Sequence, residues 1–302
     1  MKVFVTGATG QLARSLAEIG HRHGAQVVAV GRPRFDLANR DAVAACIDRI
    51  SPSVVVNAGA YTAVDNAERE TRLAHSVNAE GAAAVAVACD RLGIPIIHVS
   101  TDYVFDGRKA APYMEGDPPA PLNAYGRTKL EGERRVRACC RSHVILRTAW
   151  LYSPFGSNFA KRMLNLAEAM SEIAVVDDQV GNPTYAGHLA DAVLSIACRL
   201  VREGGVRLAG TYHAAGHGAT TRHGFAEEIL RCSRALGGPY ARVRPIVSAD
   251  HVSAAKRPMR SWLDCGALQR TFAITLPPWQ AGAQDCVRRL LGSYRVGGRS
   301  KF

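Results

Sequence analysis

The 302-residue chain reads as an α/β protein, a doubly wound parallel sheet joined to a second, smaller lobe. Three observations predict this. Short apolar runs alternate with segments of helical spacing through the first 150 residues. The runs are nearly continuous rather than alternating, as in parallel strands covered by helices on both faces. A glycine-rich turn joins the first run to the first helical segment, where a βα unit can bind phosphate.

Lys2–Thr6 is the first apolar run, and Gly7–Gly10 is the turn that follows it. Gln11–His23 places Leu12, Leu16 and Ile19 on one helical face. Gln26–Val30 is the second strand. Asn39 can cap a helix over Asp41–Ile50, where Val43, Cys46, Ile47 and Ile50 repeat at three and four, and Pro52 stops it. Ser53–Asn57 is the third strand. The Ala-rich stretch Glu70–Leu92 predicts one long helix ended by Gly93. Ile94–Ser100, the helix Asn123–Cys140 and Val144–Arg147 complete five strands in series. Residues 1–150 therefore form the nucleotide-binding part.

Beyond Trp150 the pattern loosens. Helical spacing predicts helices over Asn158–Met170, Gly187–Val201 and Thr221–Leu236, with a last one near Trp279–Leu291. Strands are predicted at Ile173–Val176, Thr211–Ala215 and Val243–Val247. Residues 151–302 are thus mainly a substrate-binding lobe, with elements near 187–215 returning to the large sheet.

Composition narrows the function classes. A chain with 47% hydrophobic and 21% charged residues buries a core. No apolar run approaches the roughly 18 residues of a membrane helix. The segment after Met1 lacks a signal peptide's apolar region, which predicts a cytoplasmic protein. The eight cysteines are scattered and lack ligand spacing, so reduced thiols and no metal are expected. The formal charge is +12, and 32 of the 38 basic residues are arginines. That excess fits an anionic ligand, but the arginines are dispersed, as in an Arg-biased sequence, and no nucleic-acid motif accompanies them. Nucleic acid is not an expected partner.

Four motifs carry chemistry. Gly7-Ala8-Thr9-Gly10-Gln11-Leu12-Ala13 matches G-x-x-G-x-x-G/A after a strand and at a helix start. Gly7 and Gly10 permit a tight turn, and the helix N-terminus offers free N–H groups to a diphosphate. The second strand ends Val30-Gly31-Arg32-Pro33-Arg34 without the acid that would bind a ribose 2′-hydroxyl. Arg32 suits a 2′-phosphate, which favours NADPH over NADH, although two solvated loop arginines would read the same. Asp36 and Leu37 follow as candidates to edge the adenine.

Tyr125 and Lys129 form a Y-x-x-x-K pair on one helical face. A tyrosine of pKa about 10 is a sluggish proton donor, and moving it to about 7 takes roughly 4 kcal/mol, which a nearby ammonium helps supply. Thr101, at the end of the fourth strand, can hydrogen-bond the same substrate oxygen or merely cap a turn. Asn78, in the long helix, either helps a proton relay or is simply solvated.

The blocks Thr6–Leu12, Ser100–Gly107 and Tyr125–Glu133 resemble the extended short-chain dehydrogenase/reductases of Rossmann fold. The blocks Asn57–Glu68, Arg147–Tyr152, Gly156–Phe159, Val175–Thr184 and Arg257–Pro258 with Ser261 and Leu263-Asp264 narrow the resemblance to the dTDP-4-dehydrorhamnose reductase family over nearly the whole chain. The resemblance implies NADPH-dependent reduction of a 4-keto sugar nucleotide, with NADH also possible. It implies that Gly10, Gln11 and Leu12 touch the diphosphate and that Ala60, Tyr61 and Thr62 line the cofactor. Tyr125 would be the proton donor, and Lys129 would bind the nicotinamide ribose. Thr101 and Asp102 would face the sugar, Trp150 would pack against it, and Arg257 would hold the substrate diphosphate. Some members hold magnesium with helix-borne glutamates at a dimer interface. Arg14-Ser15 stands at that first-helix position here, so neither metal nor that dimer is carried over, and a monomer or a homodimer is expected. A reductase or epimerase of another nucleotide sugar would share every cofactor residue. A regulatory subunit of methionine adenosyltransferase type would share the fold and the cofactor site.

Overall fold

The inner strands of the main sheet carry apolar residues on both faces, and the packing shows why. The computed structural model describes residues 1–250 and 253–297. Its first part contains β1 (Lys2–Thr6), α1 (Gln11–Ile19), β2 (Gln26–Val30), α2 (Arg40–Ile50), β3 (Val54–Asn57), α3 (Val64–Ala67), α4 (Thr71–His75), α5 (Ala82–Arg91), β4 (Ile96–Thr101), α6 (Ala124–Cys139) and β5 (His143–Thr148). The remainder contains β6 (Leu151–Tyr152), α7 (Phe159–Ala169), β7 (Glu172–Val176), β8 (Val180–Gly181), β9 (Thr184–Tyr185), α8 (Ala186–Glu203), β10 (Gly210–His213), β11 (Thr220–Thr221), α9 (Arg222–Ala235), β12 (Arg242–Ile246), α10 (Gly266–Phe272) and α11 (Trp279–Gly297).

Six strands form one parallel sheet in the order β10-β5-β4-β3-β1-β2. Successive residues enter opposite cores, as the two-residue strand period requires. Val3, Val5, Val54, Val56, Ile97, Val144 and Leu146 pack with α1 and α8. Phe4, Val55, Ile96 and Ile145 pack with α2, α5 and the C-terminal part of α6. The chain leaves β1 for β2 on one side and returns to β3 on the other. At such a switch point the strand C-termini open a crevice, and ligands bind there.

A separate core joins α7, α9 and α11 through Leu164, Phe225, Ile229 and Val287. Two-stranded ladders β12–β7, β11–β8 and β6–β9 surround it. Their two-residue members carry too little periodicity to be read from sequence, and α3 has only four residues.

Local chemistry explains the helix starts. Asn39, Asn123, Asn158 and Thr221 each accept a hydrogen bond from a backbone N–H of the helix they precede. The expected single helix over 70–92 is interrupted: Ser76–Gly81 is π-helical between α4 and α5. The widened turn buries the Asn78 side chain rather than leaving it solvated. Among the described residues, no helix is long and apolar enough to cross a membrane.

Candidate active site

The crevice at the switch point is a continuous cleft of about 940 Å³. Its floor is the β1–α1 turn. Gly7 adopts φ +88°, and a Cβ there would lie 3.2 Å from the Gly59 Cα. A Cβ on Gly31 would lie 2.8 Å from the Ala8 nitrogen. Three backbone segments thus meet where side chains would fill the space. Helix α1 begins at Gly10 with no side-chain cap and no acidic residue in its first turn. Its free N–H groups and positive dipole end face the cleft, a cradle suited to a diphosphate. The Gln11 side chain turns away, accepting from Ser153 Oγ at 2.9 Å and Asn158 Nδ2 at 3.0 Å, and so fastens this helix start to the second lobe.

Arg32, Asp36 and Leu37 line one end of the cleft. Arg32 is exposed and makes no ion pair among the described residues. Asp36 caps the Ala38 N–H at 2.9 Å, which shapes the loop beneath Leu37. Ala60, Tyr61 and Thr62 line the wall after β3. Asn78 holds that wall, its Oδ1 accepting from the Tyr61 N–H at 2.8 Å and its Nδ2 donating to the Tyr61 carbonyl at 3.1 Å and to Thr128 Oγ1 at 3.0 Å. This clamp was not legible from spacing, because it needs the π turn.

Thr101, Asp102, Tyr125 and Lys129 line the opposite wall. Asn123 caps α6, so Tyr125 sits in its first turn and Lys129 one turn later. Lys129 is buried, and its Nζ donates to the Val99 carbonyl at 2.7 Å. Burial lowers its pKa to about 8 against the opposing pull of Glu133. The Tyr125 ring packs edge-on to Tyr103 with centroids 5.8 Å apart, and its hydroxyl lies near Thr101. Burial raises the phenol's pKa, with the Thr101 hydroxyl opposing. The ammonium is engaged by the Val99 carbonyl, and desolvation governs the phenol.

Behind this wall, Glu133 accepts from Arg147 at 2.7 and 2.9 Å and from Ser100 Oγ at 2.6 Å. This buried ion pair ties α6 to β4 and β5. Sequence reading missed it, since the partners lie on separate elements.

Trp150 lines the cleft beside Thr148, Ala149 and Leu151. It holds φ +44°, a strained value for a bulky residue, and such strain clusters at binding sites. Gly181 lies against its indole, where a Cβ would come within 2.5 Å. The Arg222 guanidinium stacks over the same ring, 3.5 Å from its centroid, and lines the cleft. Arg257 is not among the lining residues. Its guanidinium donates to Asp65 Oδ2 at 2.7 Å, and Asp65 also caps the Ala255 N–H, so the carboxylate holds it at the rim. The cleft's arginine on this side is Arg222, which sequence reading did not single out.

Comparison with known proteins bears directly on this geometry. The family described as the RmlD substrate binding domain matches residues 1–291. A dTDP-4-dehydrorhamnose reductase from Sinorhizobium fredii is 43% identical over 96% of this chain and 98% of its own length. The chain belongs to the dTDP-4-dehydrorhamnose reductase family. Membership makes it an oxidoreductase of nicotinamide-cofactor chemistry. The solved reductase of this family from Clostridium acetobutylicum superposes with a TM-score of 0.89 at 36% identity, over 96% of this chain and all of that one. The family's Bacillus anthracis member, solved in complex with NADP, gives 0.87 at 33% identity, over 95% and 99% of the two chains.

Proposed function

We propose that this chain reduces the C4 ketone of dTDP-4-dehydro-6-deoxy-L-mannose to dTDP-L-rhamnose with NADPH, NADH being a weaker substitute. The observation that carries the reading is one continuous cleft. The glycine turn at 7–12 forms one part of its lining, and Thr101, Tyr125 and Lys129 form another. The bare N-terminus of α1 would hold the cofactor diphosphate, and Arg32 the ribose 2′-phosphate. Bound NADPH would supply the hydride.

Tyr125 would then give its proton to the new C4 oxygen. A phenol kept neutral by burial suits that task, since an alkoxide is a far stronger base than a phenolate. Thr101 would orient the carbonyl. Lys129, still mostly charged at neutral pH with a pKa of about 8, would hold the nicotinamide ribose and bring positive charge toward the phenol. Trp150 and Arg222 would grip the sugar nucleotide, with Asp102 facing the sugar hydroxyls. In this reading residues 1–150 with 186–213 seat the cofactor, and the rest of 151–302 seats the sugar nucleotide. The cleft is built within one chain, so a monomer suffices and a homodimer is not required. The cytoplasm supplies both nucleotides.

The test is NADPH oxidation with the dTDP-linked 4-keto sugar and with other nucleotide ketosugars, followed by NMR of the product. Turnover confined to another nucleotide would overturn the substrate assignment. Tyr125→Phe should lose ~10²–10⁴-fold in turnover while binding NADPH normally. Wild-type rates in that variant would remove Tyr125 as the acid. Arg32→Ala should weaken NADPH about tenfold, roughly 1.4 kcal/mol, and leave NADH nearly unaffected. Equal losses for both cofactors would show that Arg32 does not read the 2′-phosphate.

A further inference from the structure

Helix α6 places Glu133 four residues after Lys129, so the two side chains lie on one helical face. Lys129 is 2% exposed and Glu133 0%. Opposite charges at this spacing, both removed from water, are expected to pair. Here they do not. Lys129 makes no ion pair among the described residues, and its Nζ donates to the Val99 carbonyl at 2.7 Å. Glu133 is taken from the other side instead. Arg147 of β5 donates from Nε to Oε1 at 2.9 Å and from Nη2 to Oε2 at 2.7 Å, and Ser100 Oγ of β4 donates to Oε1 at 2.6 Å. The Arg147 side chain is itself 4% exposed, and Glu133 is its one carboxylate among the described residues.

Two buried cations, Lys129 and Arg147, thus compete for one buried anion. His98 of β4, also buried behind this wall, adds no charge. Asn57 Oδ1 is taken by Thr6 Oγ1, so Asn57 Nδ2 donates to His98 Nδ1, and a ring that accepts at Nδ1 is neutral. Whichever cation holds Glu133 leaves the other without a partner. The guanidinium wins because it presents two parallel N–H groups to a carboxylate, whereas an ammonium is a point charge. The surplus charge therefore falls on Lys129, which lines the cleft.

We propose that Arg147 is a positioning residue that holds the Glu133 carboxylate off Lys129, leaving the ammonium on the Val99 carbonyl and free to take a ligand oxygen in the cleft. The inference rests on Lys129 holding the nicotinamide ribose, and it names what keeps Lys129 available for that task. Without Arg147, Glu133 is a buried anion one helical turn from Lys129. Lys before Glu is the weaker order on an exposed helix, but an unpaired carboxylate in a dry interior takes the nearest ammonium. The same contacts also tie α6 to β4 and β5, and the two roles predict different outcomes when both partners are replaced.

The experiment is a double-mutant cycle read by steady-state kinetics. Arg147→Met should raise the KM for NADPH and lower kcat, each by about tenfold or more, because Lys129 turns to Glu133. Adding Glu133→Gln removes the competing carboxylate, and the double variant should return to within about threefold of wild type in both constants. Its amide can still accept from Ser100 Oγ, and replacing both partners of a buried pair is far milder than removing one. A folded double variant as impaired as Arg147→Met would show that the pair acts only as a tie, and would overturn the proposal, as would wild-type kinetics in Arg147→Met. Should Arg147→Met fail to fold, Arg147→Lys keeps a buried cation but loses the two-pronged grip. Its KM for NADPH should rise about threefold to tenfold and fall back when Glu133→Gln is added, and no rise would count against the proposal equally. Lys129→Met is run in parallel. If it leaves the KM for NADPH unchanged, the role given to Lys129 fails, and a crystal structure of the Arg147 variant still decides the inference. Lys129 Nζ paired with Glu133 upholds it, and Nζ still on the Val99 carbonyl overturns it.

Discussion

Lys129 shows what a buried ammonium costs in stability. Its ammonium is 2% exposed, and burial brings its pKa from 10.5 to about 8. The unfolded chain keeps this proton to higher pH, so burying the charged form is unfavourable. The full penalty applies below about pH 8 and fades as pH rises from 8 toward 10.5. Lys129→Met should therefore be more stable than wild type at pH 7, on the order of 1–3 kcal/mol after the lost Val99 bond is discounted, while losing most turnover. Denaturant melts of both proteins at pH 7 and about pH 10 check this, and the gap should shrink at the higher pH. A variant that is less stable at pH 7 would show that the buried ammonium is better compensated than its surroundings indicate. The Y-x-x-x-K spacing was visible in the sequence because it is local. The pKa of each partner was not, because desolvation is produced by residues distant in the chain.

Helix α6 sets the site because it can approach the turn after β4 closely. Gly126 faces that turn, and a Cβ there would lie 2.2 Å from the Tyr103 carbonyl oxygen. Gly132 makes a similar approach to the Asn78 carbonyl oxygen, also at 2.2 Å, one face further along the helix. Neither glycine has the positive φ that would demand it, so the requirement is space rather than conformation. Gly126→Ala should push α6 outward, lose about 1–3 kcal/mol of stability and separate Tyr125 from Thr101, lowering kcat more than it raises the KM for NADPH. An unchanged kcat in a stably folded Gly126→Ala protein would show that the approach of α6 does not position Tyr125. The helix itself was readable from sequence over Asn123–Cys140, and the structure adds that Asn123 caps it. The π turn at Ser76–Gly81 was not, since its sequence reads as ordinary Ala-rich helix and only the contacts of Asn78 with Tyr61 and Thr128 justify the wider turn.

At the scale of the whole molecule, α8 links the sheet to the glycine turn after β1. It belongs to the second half of the chain, yet Leu189, Val193 and Ile196 share a core with Leu12 and Leu16 of α1. Leu189→Ala should cost ~2–5 kcal/mol and, through α1, weaken NADPH binding as well. Thermal unfolding with and without NADPH would separate the two effects, and full retention of NADPH affinity would show that α1 holds its place without α8.

The sequence alone determined the elements whose information is local. Continuous apolar runs require strands covered on both faces, the glycine turn requires a tight βα corner with bare N–H groups, and the i, i+4 period puts Tyr125 and Lys129 on one face. Only the tertiary structure decided which arginine enters the cleft, with Arg222 stacked on Trp150 and Arg257 held at the rim by Asp65. It also decided that Asp102 is buried against Ser261, within reach of the Arg222 charge, and that burial raises the pKa of the Tyr125 phenol. These outcomes depend on long-range packing and on the water it excludes, and neither is encoded in the spacing of neighbours along a chain.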